Sequence, residues 1–186
     1  MTTIWITSVA LGIGLSAAAG FRVFVPLLVA SVAAKWGILP LTEGFAWMGS
    51  WAALICFGTA TVVEIVAYYI PFVDNLLDAA NVPLVIGAGS LLATSVLPVD
   101  HELLKWVSGI LIGGGSASVI HFGTALLRLA SSKTTAGTGN AILSTGEHVA
   151  AFGTAITSLF LPILMGAVVL LLIGVILFRS IESRKS

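Results

Sequence analysis

The sequence predicts an all-α, polytopic transmembrane helical bundle, and three observations carry that class. Of the 186 residues, 58% are hydrophobic and 9% charged, with a mean hydropathy of +1.12. A soluble domain carries about 25% charged residues, so this chain lacks the polar groups to cover a water-facing surface. Its apolar residues gather in runs close to the roughly 20 residues that one helical span needs. The runs do not alternate apolar with polar residues, as the strands of a membrane β-barrel would.

Net charge is zero, so nothing marks the chain as a nucleic-acid binder. The lone cysteine, Cys56, excludes an intrachain disulfide and reads as a small packing residue in an apolar run. The opening stretch "SVALGIGLSAAAG" is not read as a signal peptide: no Lys or Arg precedes Arg22, and the apolar run continues past the small residues.

Five regions have span character. The first, about Ile4 to Ala34, is interrupted by Gly12, Gly14, Gly20 and Pro26. The second runs from about Phe45 to Ile70, and the third, about Val82 to Leu97, is short. The fourth runs from about Leu103 to Ala130. The last, about His148 to Phe178, contains Pro162 and is long for one span yet short for two. Five spans are expected, or six if this region breaks at "FLPIL". One domain, residues 1–178, would precede a charged tail, 179–186. With five spans, Lys35 and Lys105 fall on the side of that tail, with Arg128 and Lys133 opposite; the excess of Lys and Arg places the C-terminus in the cytoplasm.

"LGIGLSAAAGFRVFVPLLVAS" from Leu11 aligns with "LIGGGSASVIHFGTALLRLAS" from Leu111, and "FGTA" occurs at residues 57–60 and 152–155. The alignment suggests half-repeats, 1–98 and 99–178, as in many transporters. Matching by composition among Gly, Ala, Leu and Ser is the competing reading.

Polar groups inside apolar runs come next, because hydrocarbon makes each of them expensive. Arg22 lies in the first region, and Pro26 four residues on would deprive its carbonyl of a helical partner. Glu64 is the expected ion-pair partner, as the acid well inside a span. The pair either locks helices together or forms a solute or ion site. Tyr68 follows Glu64 by one turn. Asp74 and Asp78, four apart after Pro71, read as a short surface helix, either solvated or lining a cation-attracting mouth. Gly109, Gly113, Ala117 and His121 recur every four residues, a small-residue seam that admits a close helix or a second copy of the chain. His121 on that seam is expected to bond across the interface or to relay protons.

The polar stretch "SSKTTAGTGNAILSTGEH" holds a capping box, Ser144 with Glu147, expected to start the last helix near Thr145. Gly137, Gly139 and Asn140 form either a flexible loop or a weak anion-binding nest. No zinc pair, nucleophile elbow or cofactor motif occurs, which argues against an enzyme and leaves a lipid-processing one as a distant third reading.

"GFRVFVPLL", "EIVAYYIPFVDNLLD" and "LLRLASSKTTAGTGNAILSTGE" together resemble the bacterial integral membrane proteins of domain of unknown function 4126. The resemblance covers nearly the whole chain. It implies a small multi-helix inner-membrane protein and places Arg22, Glu64, Asp74 and Asp78 in family motifs, with no catalytic residue or cofactor to carry over. The expected function is a small transporter or channel using Arg22 and Glu64. A non-transporting scaffold in the lipid bilayer is the alternative.

Overall fold

The computed structural model describes residues 2–70, 81–131 and 139–182 with side chains, and 71–80 and 132–135 as backbone. The described residues form eight α-helices and no strand. They are α1 (Thr2–Phe21), α2 (Phe24–Lys35), α3 (Trp51–Ala67), α4 (Pro71–Val96), α5 (Glu102–Gly109), α6 (Gly115–Thr135), α7 (Asn140–Phe160) and α8 (Pro162–Glu182). A 3-10 segment, Glu43–Gly49, leads into α3, and a π-helical turn, Ile110–Gly114, joins α5 to α6.

Local chemistry explains the breaks. Ser50 caps α3 by accepting from the Ala53 amide at 3.1 Å. Pro71 and Pro162 each stand at the first position of a helix, where a missing N–H costs nothing. Pro26 likewise falls in the first turn of α2, because the chain leaves helix at Arg22 and Val23. The expected kink with a stranded carbonyl is therefore a break between two helices.

Among the described residues, three helices are long and apolar enough to cross a membrane: Thr2–Phe21, the continuous Glu102–Ser131 and Pro162–Glu182. A fourth appears if Glu43–Gly49 and Trp51–Ala67, bent by 63°, count as one broken span. The five or six expected spans are not matched one for one. The first region splits into α1 and the 12-residue α2, and the apolar part of α4 covers only Asn81–Val96. The ambiguous last region breaks at Leu161 into α7 and α8, with α7 starting as early as Asn140. The helix α8 continues through Arg179 to Glu182, so the first residues of the expected tail are helical.

The centre of the fold is α1, buried from Gly12 to Gly20. It packs on α4 at Gly12–Ala93 and donates from the Ser16 hydroxyl to the Gly89 carbonyl at 2.7 Å. The small-residue seam is used here. A Cβ on Gly89 would stand 2.6 Å from the Gly113 carbonyl oxygen, and one on Gly20 would stand 2.5 Å from that of Ala117. Within this chain, Gly109, Gly113 and Ala117 thus meet α4 and α1. Apolar side chains cover the outside: Leu170, Leu171, Val175, Leu177 and Phe178 of α8 are all exposed. An apolar surface of that extent fits a membrane protein.

The basic residues divide differently from the expectation. Lys105 donates to Thr42 at 2.6 Å, Thr42 pairs with Ser95 near Gly12, and Lys35 lies over Trp51 at 4.4 Å. Arg179 instead lines a groove with Phe21 and Leu127, toward the end of α1 where Arg128 and Arg22 share Glu147. The five-span grouping fails at Leu161: α7 runs from Glu147 beside Arg22 to Ser158 beside Gly14, and α8 runs back from Gly166 beside Ala10 to Arg179 beside Phe21, which brings the tail to the end that holds Arg128.

Candidate functional site

Arg22 sits in the break between α1 and α2, and its side chain is 1% exposed. Its partner is not the expected Glu64. The Arg22 Nη2 lies 2.7 Å from Glu147 Oε2, its Nε donates to His148 Nδ1 at 2.9 Å, and Nη2 also reaches the Ser144 carbonyl at 3.4 Å. Glu147 serves a second guanidinium: Arg128 Nε donates to its Oε1 at 3.0 Å and Arg128 Nη2 to its Oε2. Arg128 Nη2 also donates to Ser144 Oγ at 3.1 Å. One buried carboxylate therefore joins α6, α7 and the α1–α2 junction.

The ring of Tyr68 completes this cluster, with Arg22 Cζ 3.5 Å and Arg128 Cζ 4.8 Å from its centroid. Guanidiniums over an aromatic face gain cation–π attraction, more so when desolvated. The Tyr68 hydroxyl accepts from Asn81 Nδ2 of α4. On α7, Ser144, Glu147 and His148 share a face at i, i+3 and i+4.

That spacing corrects the capping box. Because α7 begins at Asn140, Ser144 and Glu147 lie inside the helix and turn toward the arginines. The stripe was visible in the sequence as three polar residues on one face of an apolar run, but helix-start chemistry explains the same pattern.

Glu64 has a different task. Its Oε1 accepts from the Val23 amide at 2.8 Å and its Oε2 from the Phe24 amide at 3.0 Å. A carboxylate on the free amides of a helix start satisfies donors that have no partner within the helix and complements the helix dipole. Glu64 thus holds the start of α2 from α3, on the two amides that follow Arg22 in sequence. It also borders a cleft of about 590 Å³ lined by Phe24, Cys56, Ala60, Asn81 and Leu84. Cys56 is exposed there, contrary to its expected place in the packing.

The remaining expected residues are scattered. His121 is half-buried on α6, two turns before Arg128, and its carbonyl accepts from Thr124. The side chains of Asp74 and Asp78 lie outside the described residues; their backbone continues α4 rather than forming a separate surface helix. Gly137 also lies outside them. Gly139 precedes α7 with φ −72° and Asn140 opens the helix. Among the described residues, no group of three or more His, Cys, Asp or Glu is placed to hold a metal ion.

Fold and site define a helical protein with membrane-length apolar helices around a buried Arg–Glu–Arg–His cluster. The chain belongs to the family described as Domain of unknown function (DUF4126), which matches residues 9–182. No curated protein and no solved structure matches it.

Proposed function

We propose that this protein is an integral membrane transporter or channel for a small polar solute or ion, with the cluster around Arg22 as its binding site. One observation carries the reading. His148 is 8% exposed, its Nδ1 accepts from Arg22, and its Nε2 has no partner among the described residues. Accepting at Nδ1 puts the ring proton on Nε2, so a donor is left buried and unsatisfied beside a guanidinium. Buried polar groups are nearly always bonded, and a solute that offers an acceptor would meet that need. The cleft bordered by Glu64 and Asn81 is the proposed approach, with Asn81 and Tyr68 standing between it and Arg22.

Related features join the proposal. The two FGTA segments lie in α3 and α7, and the next helix in each case opens with a proline, which supports two related halves. Arg179 lies toward the same end of α1 as Arg128, and the sequence adds Lys133, Arg184 and Lys185, against Lys35 and Lys105 at the other end; this supports a cytoplasmic C-terminus in a bacterial inner membrane. Asp74 and Asp78 remain candidates for an entrance. Pairing of two copies through the small-residue seam is less favoured, because neighbouring helices occupy it.

The scaffold reading has its own support: both oxygens of Glu64 are spent on backbone amides, a structural use. Cys56 separates the two readings. In liposomes carrying the protein, flux of Na⁺, K⁺, Cl⁻ and protons is measured before and after a charged, membrane-impermeant thiol reagent. The transport reading expects flux of at least one of these above empty liposomes, reduced by the reagent and insensitive to it in Cys56→Ser. No flux above empty liposomes, with an unreactive thiol, favours the scaffold.

A further inference from the structure

Away from the cluster, a groove of about 610 Å³ runs between α6 and α8 beside the end of α1. Phe21, Leu127, Leu172 and Ile176 line it, with Arg179 and Ser180 at one end. Its size lies within the range of about 300–1,000 Å³ usual for ligand sites. Gly123 gives it depth, since a Cβ there would stand 2.9 Å from Ile176 Cδ1. Arg179 is exposed in the last turn of α8, where the apolar helix ends. A long cationic side chain at that place lays its stem on apolar surface and sends its head to the lipid headgroups. Glu182, one turn on, is the acid that competes for it, and an exposed pair at i, i+3 is weak.

We propose that the groove seats an acyl chain of an anionic phospholipid, with the phosphate on Arg179 and Ser180. The walls match a hydrocarbon tail, and the cation at one end matches a negative headgroup. A zwitterionic lipid offers the same tail, but its own cation competes with Arg179 for the phosphate. The inference rests on the membrane reading and is independent of transport.

The test uses the full chain in vesicles of equal phosphatidylglycerol and phosphatidylcholine. Alkaline carbonate extraction is scored first. A chain that washes off overturns the membrane reading and the lipid site with it. An inserted chain is then taken into mild detergent and its retained lipid counted by native mass spectrometry. Phosphatidylglycerol should be retained over phosphatidylcholine by about five-fold, the effect of one basic residue near a charged surface. Arg179→Gln should erase the preference and Arg179→Lys should keep it. Gly123→Leu, whose Cβ would meet the Ile176 side chain rather than backbone, should lower retention of both lipids. Equal retention by the wild type, or an unchanged preference in Arg179→Gln, overturns the lipid site alone.

Discussion

A guanidinium surrounded by protein and lipid needs a counter-charge, and at Arg22 that need is met by Glu147 at 2.7 Å, with Tyr68 and His148 filling the remaining directions. Glu147 serves Arg128 as well, so removing its charge leaves two buried cations without their shared carboxylate. Breaking a buried pair from one side costs about 3–5 kcal/mol. Glu147→Gln should therefore lower stability by about that amount, read from denaturation in detergent. A loss below about 1 kcal/mol, the ceiling for an exposed pair, would deny the carboxylate this role. The demand for an acid near Arg22 was legible from the sequence; which acid would meet it was not. Glu64 stood out because it lay within a span. Glu147 was hidden in a stretch rich in Gly, Ser and Thr, where serine followed three residues later by glutamate also fits a helix cap.

The same substitution of amide for carboxylate has a different consequence at the scale of an element. Glu64 on α3 fixes where α2 begins by holding the Val23 and Phe24 amides. In Glu64→Gln one oxygen remains to accept and the charge is gone. Bonds to charged groups are worth about 1.5–3 kcal/mol each, so the start of α2 should loosen by an amount of that order. Hydrogen exchange should quicken at Val23 and Phe24 and change little in the buried part of α1; equal protection in the variant would refute the cap. The α1–α4–α6 packing makes a second prediction. Gly89→Val would drive a side chain into the Gly113 backbone, which cannot retreat as a side chain can. Overpacking typically costs about 1–3 kcal/mol, and a backbone clash belongs at or above the top of that range. Melting in detergent measures it, and a wild-type melting point would contradict the contact. Small residues every four positions announced a seam, but periodicity names a face and not the surface that meets it.

For the whole molecule, membrane-length helices and exposed apolar side chains on α8 agree with the composition. The direction of the chain depends on its breaks. The break at Arg22 and Val23 reverses every later element relative to α1, and the break at Leu161 turns α8 back on α7, which is why Lys35 and Lys105 part company with Arg179. Under the proposed orientation, a fluorescent protein that folds only in the cytoplasm should report when fused to the C-terminus, and alkaline phosphatase, active only outside, should be silent there. The opposite pattern would reverse the orientation and leave the fold untouched.

Composition determined that this chain is apolar enough for a membrane, because 9% charged residues cannot coat a protein in water, and unalternating apolar runs of span length made it helical. Single residues marked the punctuation: prolines at helix starts, glycines at close approaches, and an arginine that had to be paired. Tertiary structure decided the partners. Glu147 rather than Glu64 meets Arg22, and within the chain α4 meets Gly113. The physical reason is common to both cases: apolar pattern and helical period specify a face, whereas pairing across 126 residues of chain, as between Arg22 and His148, depends on how the helices turn in space.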